Sequence, residues 1–302
     1  MIALGCCLPG QAGLQPLEEL YWLLPGDLTA AQEPALTELL QSRTYTDPFQ
    51  CYGARLQPPT WGFDLKQGLE IANAVQAKYP DGLLLVTPVV GTEDWETSCR
   101  PPRGREAGQY APDRALTQAQ WLAQLEAYRG PKVGLVLAQL ATLDPDPARV
   151  AAYVQTFAQW CRDHGKTAFV WVSAQAFRRP GGEALLKAVV KAAGDRVDQW
   201  VWMDAPGMIY ATGESDLAGM MARITAITPP AHAVLQYTAN VRTINSPQRA
   251  EEYMRAAQAA GINRFAVLGP PEDKTAEGWK DFYAGLSLVV MPPPCGTPTG
   301  FG

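Results

Sequence analysis

Polar residues stand near the carboxyl ends of several short apolar segments, and their types are those that bind or cleave polar ligands. Asp204 follows the apolar segment 200–203, and Arg55 ends the segment that begins near residue 51. A carboxylate in such a place can act as a general acid or base. A neighbouring cation would keep it ionised, whereas burial would raise its pKa. We therefore predict that Asp204 is a catalytic residue and that Arg55 binds substrate.

The other polar candidates follow from the alternation of side chains along a strand. Positions two apart share a face, so an apolar inward face can end in a polar residue. The sets predicted to face inward are Leu83, Leu85 and Thr87; Val133, Leu135, Leu137 and Gln139; Phe169, Trp171, Ser173 and Gln175; Trp200, Trp202 and Asp204; and Val234, Gln236 and Thr238. Thr87, Gln139, Ser173 and Gln236 are accordingly predicted to bind substrate at one common opening.

Aromatic residues near the same opening would suit a sugar, whose apolar ring faces stack on aromatic side chains. Trp61 and Tyr210 follow the second and sixth segments, and Trp202 lies within the sixth. Trp95 belongs to a long insertion, 91–116, after the third segment. Long loops often act as lids or binding elements, although this one can equally be a tolerated insertion. These four aromatic residues complete the predicted binding set.

Hydrolysis of a glycosidic bond needs two carboxylates, one protonated and one ionised. Asp204 is the predicted first, and the second must come from a loop, with Glu93 and Asp144 preferred over Asp94 and Glu272. Barrel glycosidases commonly carry acids on the fourth and seventh strands. Here Gln139 and Gln236 stand at those places, so the chain departs from that pattern and shares no motif with that group.

Other interpretations stay open at this point. The polar layer can simply be a satisfied hydrogen-bond network. A non-catalytic barrel that binds a glycan or a protein would also carry glutamines where acids are expected. A lyase or isomerase that uses Arg55 to hold a carboxylate substrate is a third possibility. The ligand is predicted to be a glycan or another small molecule, and the sequence does not predict an oligomeric state.

The elements that must position these residues are eight apolar segments separated by longer amphipathic stretches. Their starts are spaced 30, 31, 50, 35, 31, 35 and 30 residues apart, near Tyr21, Cys51, Gly82, Lys132, Thr167, Asp198, Ala233 and Asn263. A strand–helix unit of about 30 residues repeated eight times is typical of a (β/α)₈ barrel of the TIM type. We predict an extension over 1–20, one barrel over 21–288 and an irregular, Pro- and Gly-rich tail over 289–302.

The helical stretches carry recognisable start and stop signals. Asp146 and the following proline predict a helix start, and Gly165 predicts its end. Ser246 with the following proline predicts another helix start, and Gly261 predicts the end of that helix. Ser215 is predicted to open a separate helix earlier in the chain.

Composition excludes several classes of function. A net charge of −5 argues against nucleic acid as the main partner, since phosphate binding needs basic clusters. No apolar segment reaches the roughly 20 residues that cross a membrane, and no intact signal peptide is visible, which favours the cytoplasm if residue 1 is the native start. The 2 histidines and 6 cysteines lack metal-binding spacing, so neither a metal nor another cofactor is expected.

Overall fold

The structure, a computed structural model, describes residues 18–27, 50–55, 65–78, 83–87, 117–137, 146–178, 180–203, 216–238 and 247–268. Eight parallel strands follow one another around a closed barrel. Each pairs with the next, and the first pairs with the last. The strands are β1 Glu19–Asp27, β2 Gln50–Arg55, β3 Leu83–Thr87, β4 Lys132–Val136, β5 Thr167–Ser173, β6 Gln199–Met203, β7 Ala233–Thr238 and β8 Arg264–Leu268. The predicted (β/α)₈ barrel is confirmed, and every strand starts within two residues of its predicted position.

Six α-helices fall within the described residues. They are α1 Leu65–Lys78, α2 Gln118–Leu125, α3 Pro147–Asp163, α4 Gly182–Ala193, α5 Leu217–Thr225 and α6 Pro247–Ala259. Short 3₁₀ turns cover Ala174–Arg178, Gly194–Arg196 and Pro230–His232. Of the helices in these segments, none combines the length and the apolar character that a membrane crossing needs. The domain boundaries at 20 and 288 stay a prediction, because residues 1–17 and 269–302 lie outside the described part of the chain.

The predicted helix signals agree with the structure where it describes them. The Asp146 side chain accepts a hydrogen bond from the Ala148 amide at 2.9 Å, which caps α3 at its first turn. Gly165 follows that helix with a φ of 62°, a left-handed conformation that favours glycine. The helix predicted to open at Ser215 starts one residue later than expected, because Asp216 is its N-cap and accepts from the Gly219 amide at 2.6 Å.

Two apolar layers hold the barrel together. The outer layer joins strand residues to helix residues: Leu135 and Leu235 belong to the same buried cluster as Val154 of α3 and Met221 of α5. The interior cluster contains strand residues only, namely Tyr21, Phe169, Trp171, Val201, Val234 and Ala266, with Met203 packed against it. Tyr21 on β1 meets Phe169 on the opposite strand β5 edge-to-face, with 5.4 Å between ring centroids. The barrel interior is therefore filled by side chains at this level, as is usual for the fold.

The inward face was predicted correctly for β5 and β7 and wrongly for β4 and β6. Phe169, Trp171 and Val234 lie in the interior cluster as expected. Val133, Leu135 and Leu137 of the β4 set, and Trp200 and Trp202 of the β6 set, lie instead in the outer layer. Val201 occupies the interior place that the pattern gave to its neighbours.

Register and the shape of one tryptophan account for these inversions. Gly134 pairs in register with Phe169, which is an interior residue, so Gly134 holds an interior position on β4. A Cβ atom at Gly134 would collide with the ring of Trp171. The bulky indole on β5 thus fills the space that the glycine leaves open on β4, and Val133 and Leu135 of β4 face the helices.

Candidate functional site

Polar residues concentrate at the carboxyl ends of the strands, which we call the mouth. Five of the eight strands end in a polar or charged residue, and these are Asp27, Arg55, Thr87, Ser173 and Thr238. Active sites of TIM-type barrels lie at this end, because the loops that follow the strands converge there. The mouth is therefore the candidate site.

A buried hydrogen bond connects two strands beneath the mouth. The indole Nε1 of Trp171 donates to Oε1 of Gln236 over 2.8 Å. The two residues are 2% and 6% exposed, so both groups are desolvated. Because an indole can only donate, the bond assigns the oxygen of the Gln236 amide to Trp171.

Two further side chains complete what we call the mouth floor, defined as Trp171, Ser173, Met203 and Gln236. Ser173 is the next inward position after Trp171 on β5, and it pairs in register with Met203 on β6. Ser173 is 5% exposed. Met203 is half-buried and packs on the interior cluster. The floor therefore presents one hydroxyl, one amide and one thioether above the aromatic interior.

The mouth floor offers hydrogen bonding without ionisable groups. Among the side chains that the structure describes, the buried polar ones are Gln76, Ser173, Thr228 and Gln236, and none of them is ionisable. A hydroxyl and an amide can bind a neutral polar ligand, but they do not supply general acid or base chemistry. Within the described ranges, no group of histidine, cysteine and carboxylate side chains could hold a metal ion. A catalytic carboxylate would have to come from another part of the mouth.

The prediction that Trp202 binds substrate is wrong. This side chain is 0% exposed and belongs to the outer layer. Its Nε1 donates to Oγ1 of Thr228 at 3.2 Å, on the chain between α5 and β7. The Phe177 ring stacks on it with centroids 5.4 Å apart. Trp202 thus seals β6 against the helices, and the physical reason is the inverted alternation of that strand.

The structure places Ser173 and Gln236 in the mouth floor, on strands separated by β6, and it leaves most other candidates untested. Asp204, Glu93, Asp144, Trp61, Trp95, Gln139 and Tyr210 lie outside the described residues. Asp204 and Gln139 have the parity of Trp202 and Leu137, both in the outer layer, so strand alternation no longer favours inward positions for them. They stay predictions.

Arg55 and Thr87 can be placed by their backbone register. Arg55 pairs with Val86 on β3 and with Asp27 on β1. Thr87 pairs with Leu135, whose side chain lies in the outer layer. Asp27 was not among the predicted site residues. Only the pairing with β2 extends the strand to Asp27.

A group of perturbed residues lies at the opposite, amino-terminal end of the strands. The Lys166 ammonium donates to the carbonyl oxygens of Tyr128 and Gly130, at 2.8 Å each. Burial lowers the pKa of Lys166, and burial raises the pKa of Cys161 and of Tyr128. The lysine holds the segment that leads into β4 by these two hydrogen bonds. This group therefore stabilises the fold and lies away from the mouth.

A second charged group ties α4 to α5. The guanidinium of Arg223 donates to a Glu183 carboxylate oxygen at 2.8 Å, and Lys187 reaches the same carboxylate at 3.0 Å. These two hydrogen-bonded cations lower the pKa of Glu183. Arg223 also lies over the Phe177 ring, 4.2 Å from its centroid. The group packs against the Trp202 side of the outer layer, not against the mouth floor.

Two grooves lie on the helical exterior. One of about 640 Å³ runs between α2 and α3, beside Glu126 and Trp160. The other, of about 530 Å³, runs between α4 and the segment that joins α5 to β7, beside Lys187 and His232. Neither groove is lined by a residue of the mouth floor.

Solved structures of low sequence identity share this architecture. The glycoside hydrolase domain of PgaB (BpsB) from Bordetella bronchiseptica gives a TM-score of 0.53 at 13% identity, covering 92% of this chain and 100% of that one. A chitinase from Chromobacterium violaceum gives 0.57 at 11% identity, covering 91% and 100%. A D-psicose 3-epimerase gives 0.51 at 12% identity, covering 89% and 99%. No protein-family model and no curated protein sequence matches the chain. At these identities the likeness shows the fold alone, a TIM-type barrel of the kind that glycoside hydrolases use.

Proposed function

We propose that this chain is a carbohydrate-active barrel that binds a glycan at the mouth and hydrolyses a glycosidic bond there. The observation that carries the proposal is the buried Trp171–Gln236 hydrogen bond beneath a ring of polar strand ends. It fixes an amide at the base of the opening, where the mouth floor also contains Ser173. Preorganised neutral donors and acceptors of this kind suit sugar hydroxyls.

The similar structures support the choice of ligand. Two of those described above are named for glycan-acting enzymes, a chitinase and a glycoside hydrolase domain, and a third is named for a sugar epimerase. Chitin oligosaccharides are therefore the first ligands to test. The uncharged floor fits them, because their N-acetylglucosamine units carry no charge.

For the chemical step we propose Asp204 as one carboxylate and a loop residue, Glu93 or Asp144, as the other. Asp204 follows directly after β6, at the end of the barrel where such groups act. One carboxyl group would protonate the leaving oxygen while the other attacks the sugar or activates water. Separation of the two groups by about 5–10 Å would fit either stereochemical course.

A non-catalytic barrel that binds a glycan or a protein is the second candidate. It is favoured by one observation: among the floor residues that the structure describes, Gln236 stands where a catalytic acid could stand, and no neighbour in the floor is ionisable. Such a protein would bind chitohexaose without cleaving it.

The test combines calorimetric binding of chitohexaose with mass-spectrometric detection of shorter products. Asp204→Asn should reduce turnover by about 100-fold or more while the Kd changes only a few-fold. Glu93→Gln and Asp144→Asn identify the second carboxylate by the same criterion. Asp195→Asn is the matched control, because Asp195 is exposed in the turn before β6, at the opposite end of the barrel.

Each outcome of this test selects one interpretation. Binding with cleavage that depends on Asp204 supports the hydrolase. Binding without cleavage supports the second candidate. Cleavage that Asp204→Asn leaves unchanged refutes the role of Asp204. Absence of both binding and cleavage across chitin oligosaccharides would refute the proposed function.

A further inference from the structure

Met203 keeps an accessible surface inside the barrel opening. It is the last residue of β6, two positions after Val201, so it has the same inward parity, and it packs on the interior cluster. Phe169 and Trp171 of that cluster are at most 2% exposed, whereas Met203 is half-buried. Because these side chains fill the space below, the accessible part of Met203 faces the mouth. A ligand that reaches the mouth floor therefore meets this thioether side chain.

Hydrogen-bonding side chains flank Met203 on both neighbouring strands. Ser173 on β5 pairs in register with Met203. On the other side, Trp202 of β6 pairs with Leu235 of β7. One step further along both strands, Met203 comes level with Gln236. The floor thus has an apolar centre, with a hydroxyl group on the strand to one side and an amide on the strand to the other.

The chemistry of a thioether selects what can be buried on it. Methionine sulfur accepts hydrogen bonds only weakly, and the side chain donates none. A sugar hydroxyl pressed against it would lose its hydrogen bonds to water without replacement, which costs free energy. A methyl group gains free energy from the same burial, and the unbranched methionine side chain adapts its shape to such a group. The centre of the floor therefore favours a sugar with a methyl-bearing substituent over one with hydroxyl groups alone.

We propose that Met203 is a specificity-determining residue that binds the methyl group of an N-acetyl substituent, while Ser173 and Gln236 bind the amide part of that substituent. An acetamido group carries an apolar methyl beside a carbonyl acceptor and an N–H donor, which matches the groups across the floor. A hydroxyl and a primary amide can each make more than one hydrogen bond. The inference rests on the proposed function and deepens it, because it makes the ligand an N-acetylated sugar.

The competing explanation is that Met203 only closes the top of the interior cluster. A change at this position would then alter stability and leave the choice of sugar unaffected. Chitohexaose and cellohexaose separate the two explanations. They share one β-1,4-linked backbone and differ only at C2, which carries an acetamido group in the first sugar and a hydroxyl in the second.

The first arm of the experiment measures the affinities of both sugars by calorimetry. The wild type should bind chitohexaose about tenfold more tightly than cellohexaose, or more. Met203→Ala should reduce this ratio about fourfold, which corresponds to about 0.8 kcal/mol and to the burial of about one methyl group. Met203→Leu keeps an apolar side chain of similar size and should preserve the ratio.

A matched control and the contrary results complete this arm. Met220→Ala makes the same change at a methionine buried in the outer layer on α5, so it should leave the ratio unchanged. Equal affinities of the wild type for the two sugars would overturn the proposal, as would an unchanged ratio in Met203→Ala. In either case the proposed function stands if chitohexaose is bound and cleaved.

The second arm observes the contact in the wild-type protein, so it does not depend on the folding of Met203→Ala. Methionine methyl groups labelled with ¹³C are followed by NMR at saturating chitohexaose, and the Met203 signal is assigned by its loss in Met203→Leu. We expect a nuclear Overhauser effect between the Met203 methyl and an acetyl methyl of the sugar, and none from Met220 or Met221 in the outer layer. Absence of that effect from Met203 would overturn the proposal. If the wild type binds neither sugar, the proposed function fails together with this inference.

Discussion

Replacing Trp171 with phenylalanine should show how much the mouth floor contributes to the free energy of unfolding. The substitution keeps an aromatic ring but removes the indole N–H that donates to Oε1 of Gln236. A buried acceptor that loses its partner costs about 1–3 kcal/mol. The smaller ring leaves a cavity of roughly 40 Å³, which at about 24 cal/mol per Å³ adds about 1 kcal/mol. We therefore expect a total loss of about 2–4 kcal/mol in the free energy of unfolding.

A double-mutant cycle in urea measures the hydrogen bond itself. Gln236→Leu removes the acceptor, and the double variant Trp171→Phe/Gln236→Leu removes both partners. The double variant should be more stable than the sum of the single losses predicts, by about 1–3 kcal/mol. Additive losses would refute the claim that this bond organises the floor.

The chain provides a matched control for the effect on ligand binding. Trp202→Phe also removes a buried indole that donates to one side chain, Thr228, but it does so in the outer layer. It should lower stability by a similar or smaller amount, since its bond is longer at 3.2 Å and the Thr228 hydroxyl can rotate toward another donor. Chitohexaose affinity should fall in Trp171→Phe and stay unchanged in Trp202→Phe. Equal losses in both would mean that the effect is one of stability alone.

Three further outcomes follow from the described contacts. Gly134→Ala should cost about 1–3 kcal/mol in urea unfolding, because its methyl group meets the Trp171 ring, and a neutral result would contradict the packing. Glu183→Gln should lower the urea midpoint at neutral pH but not in acid. Because the pKa of Glu183 is lowered in the folded protein, the stabilisation from its carboxylate is present above the ordinary pKa of 4.5 and is lost as pH falls through the folded-state pKa. A pH-independent difference would contradict the pairing with Arg223. Cys161, buried and with a raised pKa, should resist iodoacetamide in the native protein and react once it unfolds, as peptide mapping by mass spectrometry would show.

The succession of strands was predictable because each strand–helix unit is a local pattern. The starts of β4, β5 and β7 coincide with the predicted residues. The Asp146 cap was predictable from two adjacent residues, the aspartate and the proline that follows it. Turn and cap chemistry depends on neighbours along the chain, so a single sequence contains it.

The inward faces of β4 and β6 were not predictable in the same way. Strands of a parallel barrel are buried on both sides, so both parities are apolar and alternation carries little information. For β6 the deciding fact is that Trp202 fits under Phe177 and Thr228 on the helix side. For β4 it is Gly134, whose missing side chain makes room for Trp171 on the next strand. Both depend on residues far away in the sequence. The pairing of Asp27 with Arg55 escaped for the same reason, since it exists only through the register of two strands.

The account depends most on the claim that carbohydrate binds at the mouth above Trp171. Its most direct test is a two-dimensional ¹H–¹⁵N spectrum of the tryptophan indole groups during titration with chitohexaose, with Trp171 and Trp202 assigned by the phenylalanine variants. We expect the Trp171 indole resonance to shift in proportion to saturation while that of Trp202 stays in place. A shift of Trp202 without Trp171, or no indole shift at saturating sugar, would contradict the placement of the site at the mouth.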